Sequence, residues 1–369
     1  MKYGRNYIIN FYYMPFTRSH KRRYKKHKQT RKRIKMSGGK GGGEGGRRNK
    51  RTTKSRMNYN GGAKDDFKKL TCSPLSDEYK NGSPVSAHKT CLPSHIIYKA
   101  KDYWNTANPQ NEIHSKTPRQ IWLQLQKKLK NVCKDDLCIL EQPFMKKINS
   151  TKSPTESINS SSGGTERNLK DYYSPKMPSE WKKNPTEWLS SIEILEKMKQ
   201  YEKAYPCFEF IGPTAIDFDK VLSDNKCVER DMCNFQLSTQ IEKKKKKIGI
   251  IFNTDPHDKG GSHWISLFIN IPKKMIFFFD SAGETAPPEV MTFVERIKEQ
   301  GLKLNPPIDF KFDQNYPHEH QYSTTECGMY SLYFIINMLE DKLTTEYLKT
   351  HIITDSQMIK YRKKYFNDV

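Results

Sequence analysis

HWISLFINI (263–271) and, three residues further on, MIFFFD (275–280) are the two runs whose reading decides the fold. Each is short, rich in Ile, Phe and Trp, and bounded by turn residues such as Asn270, Pro272 and Gly283, which is the signature of a buried strand. Folded about Pro272 to Lys274, they form a hairpin that carries His263, at the start of one strand, beside Asp280, at the end of the other. An imidazole and the carboxylate that orients it need that neighbourhood.

Further on, QYSTTECG (321–328) leads into the apolar run from Gly328 to Leu339. That run predicts a helix starting at Cys327, with Ser323, Thr324 and Thr325 as caps. A thiol has an ordinary pKa of about 8.5 and attacks as the thiolate. The free N–H groups of a helix start and a neighbouring imidazole both favour that form. Gln321, six residues before Cys327, can turn its side-chain amide toward an oxyanion. Taken singly, a Cys is most often a small core residue and a His a surface or packing residue. Their order on strand, strand, loop and helix start is what points to acyl transfer by a thiol.

These residues resemble the adenain and ULP/SENP cysteine proteases. That family shows a His-Trp pair, an Asp-Ser pair, and a Gln six residues before a Cys-Gly. His263-Trp264, Asp280-Ser281, Gln321 and Cys327-Gly328 match. The resemblance implies an α+β fold: a papain-like, ULP-type core with a central mixed or antiparallel sheet flanked by helices. It implies His263, Asp280 and Cys327 as catalytic and Gln321 as the oxyanion residue. Trp188-Leu189 resembles the start of the family's WLND-type motif, although Ser190-Ser191 replaces Asn-Asp. By that likeness Trp188 and Trp264 clamp a substrate's Gly-Gly; ordinary core packing is the other reading of both. An aromatic slot selects glycine because a Cβ would clash where the backbone passes between rings.

The rest of the chain is organised around this core. Of the 369 residues, 1–56 hold 20 Lys and Arg against the single acid Glu44, so +19 of the net +24 lies in the tail. From Arg18 to Arg56 there is almost no apolar content, and the segment is read as a disordered basic tail. Its functional reading is contact with nucleic-acid phosphates without base readout; a solvated tail or a nuclear-type address is the alternative. Residues 57–150 read as a helical accessory region. There Thr117 caps and Pro118 starts a helix with Ile121, Trp122, Leu125 and Leu129 on one stripe, and Trp104 and Trp122 are packing residues. A Ser, Thr, Asn and Gly-rich linker over 151–170 precedes a protease domain over 171–369.

Within that domain a helix is expected from Ser190 to Tyr201, on Ile192, Leu195 and Met198, and another over 287–301 ending at Gly301. Strands are expected at IGIIFNT (248–254) and DFKFD (309–313), and Lys243 to Lys247 should be a solvated turn. His257 lies in a loop and is not given the base role, whereas Asn315, His318, Glu319 and His320 can shape the site. Of the eight cysteines, Cys133 with Cys138 and Cys227 with Cys233 lack common zinc spacing and are read as buried thiols. With no apolar run near 18 residues and a polar start, a soluble intracellular protein without membrane contact is expected, in the virion or host cytoplasm.

No metal or organic cofactor is called for. The resemblance extends to maturation proteases of adenoviruses, poxviruses and African swine fever virus, and adenain uses DNA as a cofactor. It implies cleavage of structural precursors after Gly-Gly-like sites, with DNA as an activator to be tested. A protease for SUMO- or ubiquitin-like modifiers and an inactive nucleic-acid-binding virion protein are the alternatives. Gly38-Gly39, Gly45-Gly46 and Gly61-Gly62 present the chain's own tail as a substrate.

Overall fold

The computed structural model describes residues 67–80, 89–150 and 168–369. The basic tail, the Gly-Gly pairs within it and nearly all of the linker lie outside the described residues.

The apolar runs build a five-stranded mixed sheet in the order β1 (Phe208–Ala215), β2 (Lys247–Asn253), β3 (Trp264–Asn270), β4 (Met275–Phe279) and β5 (Lys311–Gln314). The three central strands are antiparallel and both edge strands join parallel. Every residue of β3 is buried, because both faces are covered and the alternation of a strand divides its side chains between two cores. Trp264 and Phe268 face one core together with Phe277 and Phe279, while Ile265, Leu267 and Ile269 face the other together with Ile276 and Phe278. At Gly212 (φ +101°) the register of β1 slips, and a Cβ there would stand 2.9 Å from the Ile251 carbonyl oxygen.

The amphipathic segments cover this sheet and build a helical layer beside it. In the N-terminal region, α1 (Ser94–Ala107) and α2 (Pro118–Leu129) enclose a core with Asp136–Leu140 and Pro143–Ser150. Thr117 caps α2 with its side chain, and Ile121, Trp122, Leu125 and Leu129 are all buried, as their spacing requires. Ser190 caps α3 (Ser191–Ala204) in a capping box with Glu193. The buried stripe of α3 is Ile194, Lys197, Met198 and Tyr201, so the expected Ile192 lies outside it and is 49% exposed.

On the far side α4 (Pro288–Leu302) runs one residue past Gly301. That glycine is a packing contact rather than a terminator, since a Cβ would meet the Ile308 carbonyl oxygen at 2.5 Å. The nearly all-buried α5 (Cys327–Leu339) lies against the sheet so closely that a Cβ on Gly249 would stand 2.7 Å from Ile335. Last, α6 (Asp355–Tyr365) leads to Asn367, which hydrogen-bonds Thr71 and the Ser174 carbonyl and so joins the C-terminal segment to the first described residues.

Two expectations change here. Cys133–Cys138 and Cys227–Cys233 are disulfides rather than buried thiols, and Cys72–Cys91 is a third. The folded backbone sets their Cα atoms 5.3, 6.4 and 5.3 Å apart respectively, within bridging range. Cys207 and Cys327 remain free. The lysine run is only partly a solvated turn: Lys245 bonds the Phe208 carbonyl and Glu209, and Lys247 bonds the Leu339 carbonyl and Asp341.

Candidate active site

The hairpin register sets the first pair. Ser266 lies opposite Phe279, so continuing the ladder sets Asp280 opposite Ile265 and one diagonal step from His263 on the same face. Across that diagonal His263 Nε2 and Asp280 Oδ1 are 2.6 Å apart. The carboxylate is held from behind: Oδ1 also accepts from the Ala282 N–H at 2.8 Å, and Asn315 clamps the Asp280 backbone. Asn315 Oδ1 accepts from the Asp280 N–H at 2.9 Å, and its Nδ2 donates to the Asp280 carbonyl at 2.7 Å.

Cys327 begins α5, as its sequence context requires, and is 1% exposed. The expected caps are not used. Glu326 occupies the cap position without a side-chain cap bond, so no hydroxyl from residues 323–325 occupies the helix N-terminus. Gly328 is required by packing, because a Cβ would stand 2.9 Å from Leu189 and 3.2 Å from the Trp264 ring. The helix start thus sits directly against the strand that carries His263. Burial by itself would lower the His263 pKa, but the charge and hydrogen bond of Asp280, joined by Cys327, outweigh it and hold the imidazole well above its ordinary 6.5. With Nε2 on the carboxylate, Nδ1 is the nitrogen left for Cys327.

Gln321 is buried behind this group, its orientation fixed at both ends of the amide. Ser281 Oγ donates to its Oε1 at 2.7 Å, and its Nε2 donates to the Ser323 carbonyl at 3.1 Å. One N–H of the amide is therefore used within the loop, and the second is the one available to an oxyanion.

Trp264 is core-packed, with its indole N–H donating to the Leu189 carbonyl at 2.9 Å. Trp188, the residue before Leu189, is half-buried against the same core. The two tryptophans thus belong to segments pinned together, one covered and one partly open.

Neighbouring histidines take other parts. His257 pairs with Asp217, which accepts from both its ring Nδ1 at 2.7 Å and its backbone N–H. His320 accepts from the Ile353 N–H, and burial together with His318 lowers its pKa to about 4, leaving it neutral. Two residues were not singled out by sequence reasoning: Arg362 and Glu326, a buried pair next to the cysteine. A cue for Arg362 existed, since Met358, Arg362 and Tyr365 share one helical stripe, with a charge among apolar neighbours.

Residues 192–369 match the Ulp1 protease family, C-terminal catalytic domain. A thiol protease of Acanthamoeba polyphaga mimivirus is 30% identical over 191 residues, 50% of this chain and 60% of that protein. The chain therefore spans less than two thirds of that relative's length. The SUMO-1 cysteine protease of African swine fever virus (isolate Pig/Kenya/KEN-50/1950) is 25% identical over 267 residues, 70% of this chain and 92% of the relative. The crystal structure of the African swine fever virus protease superposes with a TM-score of 0.54 at 22% identity, covering 82% of this chain and 98% of that one, and establishes the common fold. Among the described residues no helix is long and apolar enough to cross a membrane. Over residues 192–369, just under half of its length, the chain is thus similar to the catalytic domain of the Ulp1 protease family.

Proposed function

We propose that the protein is a cysteine endopeptidase that cuts precursor proteins after Gly-Gly-like sites, as a viral maturation protease does. The observation that carries this reading is His263 held between Asp280 and a cysteine at a helix N-terminus. In this mechanism His263 takes the Cys327 proton and the thiolate attacks the scissile carbonyl carbon. The oxyanion so formed accepts from Gln321 Nε2 and the Cys327 backbone N–H. His263 gives its proton to the leaving amine, the acyl-enzyme forms, and a water activated by the same imidazole releases the acid. Asp280 holds the ring in the required tautomer. Trp188 and Trp264 form the walls of the slot that favours glycine. The steps use only the chain's own groups, and no metal or organic cofactor enters them.

A second reading, release of SUMO-like modifiers, is favoured by the name of the African swine fever virus relative, a SUMO-1 cysteine protease. Hydrolysis of a fluorogenic Gly-Gly-Xaa peptide separates the two. Cleavage by the wild type that is lost in Cys327→Ala supports the maturation reading. An inert peptide together with capture of a SUMO-type probe moves the assignment to the modifier protease. Adding DNA to the same assay tests the basic tail as an activator: stimulation that falls as salt rises is the expected result. Intact-mass comparison of wild type with Cys327→Ala tests removal of the tail, and identical N-termini rule it out.

A further inference from the structure

A carboxylate beside a nucleophilic thiol is an electrostatic liability, since it opposes the thiolate that catalysis requires. Glu326 immediately precedes Cys327 and is 0% exposed. Its Oε2 accepts from Arg362 Nη2 at 3.0 Å, and the other guanidinium nitrogen, Nη1, donates to the Glu187 carbonyl at 2.7 Å. Arg362 is 2% exposed, and its guanidinium lies over the Trp181 ring at 4.2 Å. One buried cation thus spans the residue before the cysteine and the residue before Trp188.

We infer that Arg362 and Glu326 are positioning residues for the thiol: the guanidinium cancels the carboxylate next to Cys327 and fixes the helix start against the Glu187–Trp188 segment. A planar fork holds two acceptors in a fixed geometry through separate nitrogens, whereas the single rotating ammonium of Lys sets no such geometry. Burial pushes the Glu326 carboxyl up and Arg362 pulls it back, so the charge of one depends on the other. The remaining charged and titratable groups around Cys327 and Glu326 are His263 and Asp280 from the sheet, Asp355 at the start of α6, and Tyr330 on α5, which donates to Asp355. None of these cancels Glu326: Asp355 adds a second negative charge, and His263 is paired with Asp280.

The inference rests on Cys327 as the nucleophile. The test is the rate of Cys327 alkylation by iodoacetamide against pH, in the full-length protein carrying Cys207→Ser to remove the other free thiol. Arg362→Met, which leaves the carboxylate uncancelled, should move the midpoint up by about one unit, a tenfold slower reaction below the midpoint. Glu326→Gln, which leaves the cation, should move it down. Arg362→Met combined with Glu326→Gln removes both charges and should return the midpoint toward the wild type. Should Arg362→Met fail to fold, Glu326→Gln and the double variant still give distinct predictions, a lowered midpoint against one near the wild type. Shifts of the same sign in both single variants, or no shift in the variants that fold, make the pair merely structural and overturn the inference. A wild-type Cys327 that alkylates no faster than an ordinary exposed thiol removes the nucleophile assignment instead.

Discussion

Two aspartates, each 4% exposed, show what separates the helical region from the catalytic core. Asp136 accepts from Trp122 Nε1 and Gln126 Nε2 on one oxygen and from the Tyr173 hydroxyl on the other, all at 3.0 Å. Asp280 accepts from the Ala282 N–H and from His263. The first carboxylate ends in donors that hold their protons at any ordinary pH, and it fastens α2 to the linker-proximal segment. The second ends in an imidazole whose far side faces a thiol, so its charge governs a proton that can move. Burial and satisfied hydrogen bonds are common to both; only the second has a partner that can titrate, which the proposed mechanism requires.

The widest separation between the two regions should come from Cys327→Ala, which removes the proposed nucleophile and should reduce peptide cleavage by at least about 10³-fold while leaving the thermal midpoint nearly unchanged. Retained cleavage would sink the whole site assignment. Asp280→Asn keeps the shape and loses the charge, and a drop of about 10²- to 10⁴-fold in kcat/KM is expected. Its pH profile is more informative than its rate. With Asp280 gone, burial is opposed only by Cys327, so the alkaline limb should move to lower pH. The sign for stability follows from the raised folded value: the His263 contribution is complete below pH 6.5 and is lost as pH rises through that raised value. Asp280→Asn should flatten that dependence in a denaturant titration.

Asp136→Asn should act on stability alone, costing about 1–3 kcal/mol, because one oxygen of a three-donor carboxylate becomes an amide. Peptide turnover below the melting transition should match the wild type; a large fall would erase the contrast between the regions. Burial holds the Asp136 carboxyl above its ordinary 3.8, so the folded state keeps a proton that the unfolded chain releases. Stability therefore falls as pH rises from 3.8 through the raised value, and the Asn variant should lack that slope. The smallest effect is expected of Thr117→Ala, about 0.5–1 kcal/mol, since the exposed cap of α2 satisfies one N–H.

Local pattern explains which features were legible in the chain. The positions of His263, Asp280 and Cys327 in their elements were legible because each sits at the end of an apolar run whose period identifies its element, whereas Gln321, in a polar loop, was singled out only by its spacing from Cys327. The α2 stripe and its Thr117 cap were equally plain. Where a residue is held by something distant, pattern failed. Ile192 has helical spacing but faces outward, because α3 packs through Ile194 and Tyr201. Gly301 resembles a helix terminator until the Ile308 carbonyl is placed beside it.

What the amino-acid order determined unaided, then, is the hairpin and those helices with a clear apolar stripe or run, since these depend on residues within a turn or a strand of each other, together with the order in which imidazole, carboxylate, amide and thiol follow one another along the chain. The tertiary structure alone decided the parallel edge strands, the clamp of Asn315 on Asp280, the three disulfides and the Arg362 bridge. Arg362 meets Glu187 across 175 residues and Glu326 across 36. At such separations the energy of a contact depends on how whole elements pack, which no local period records.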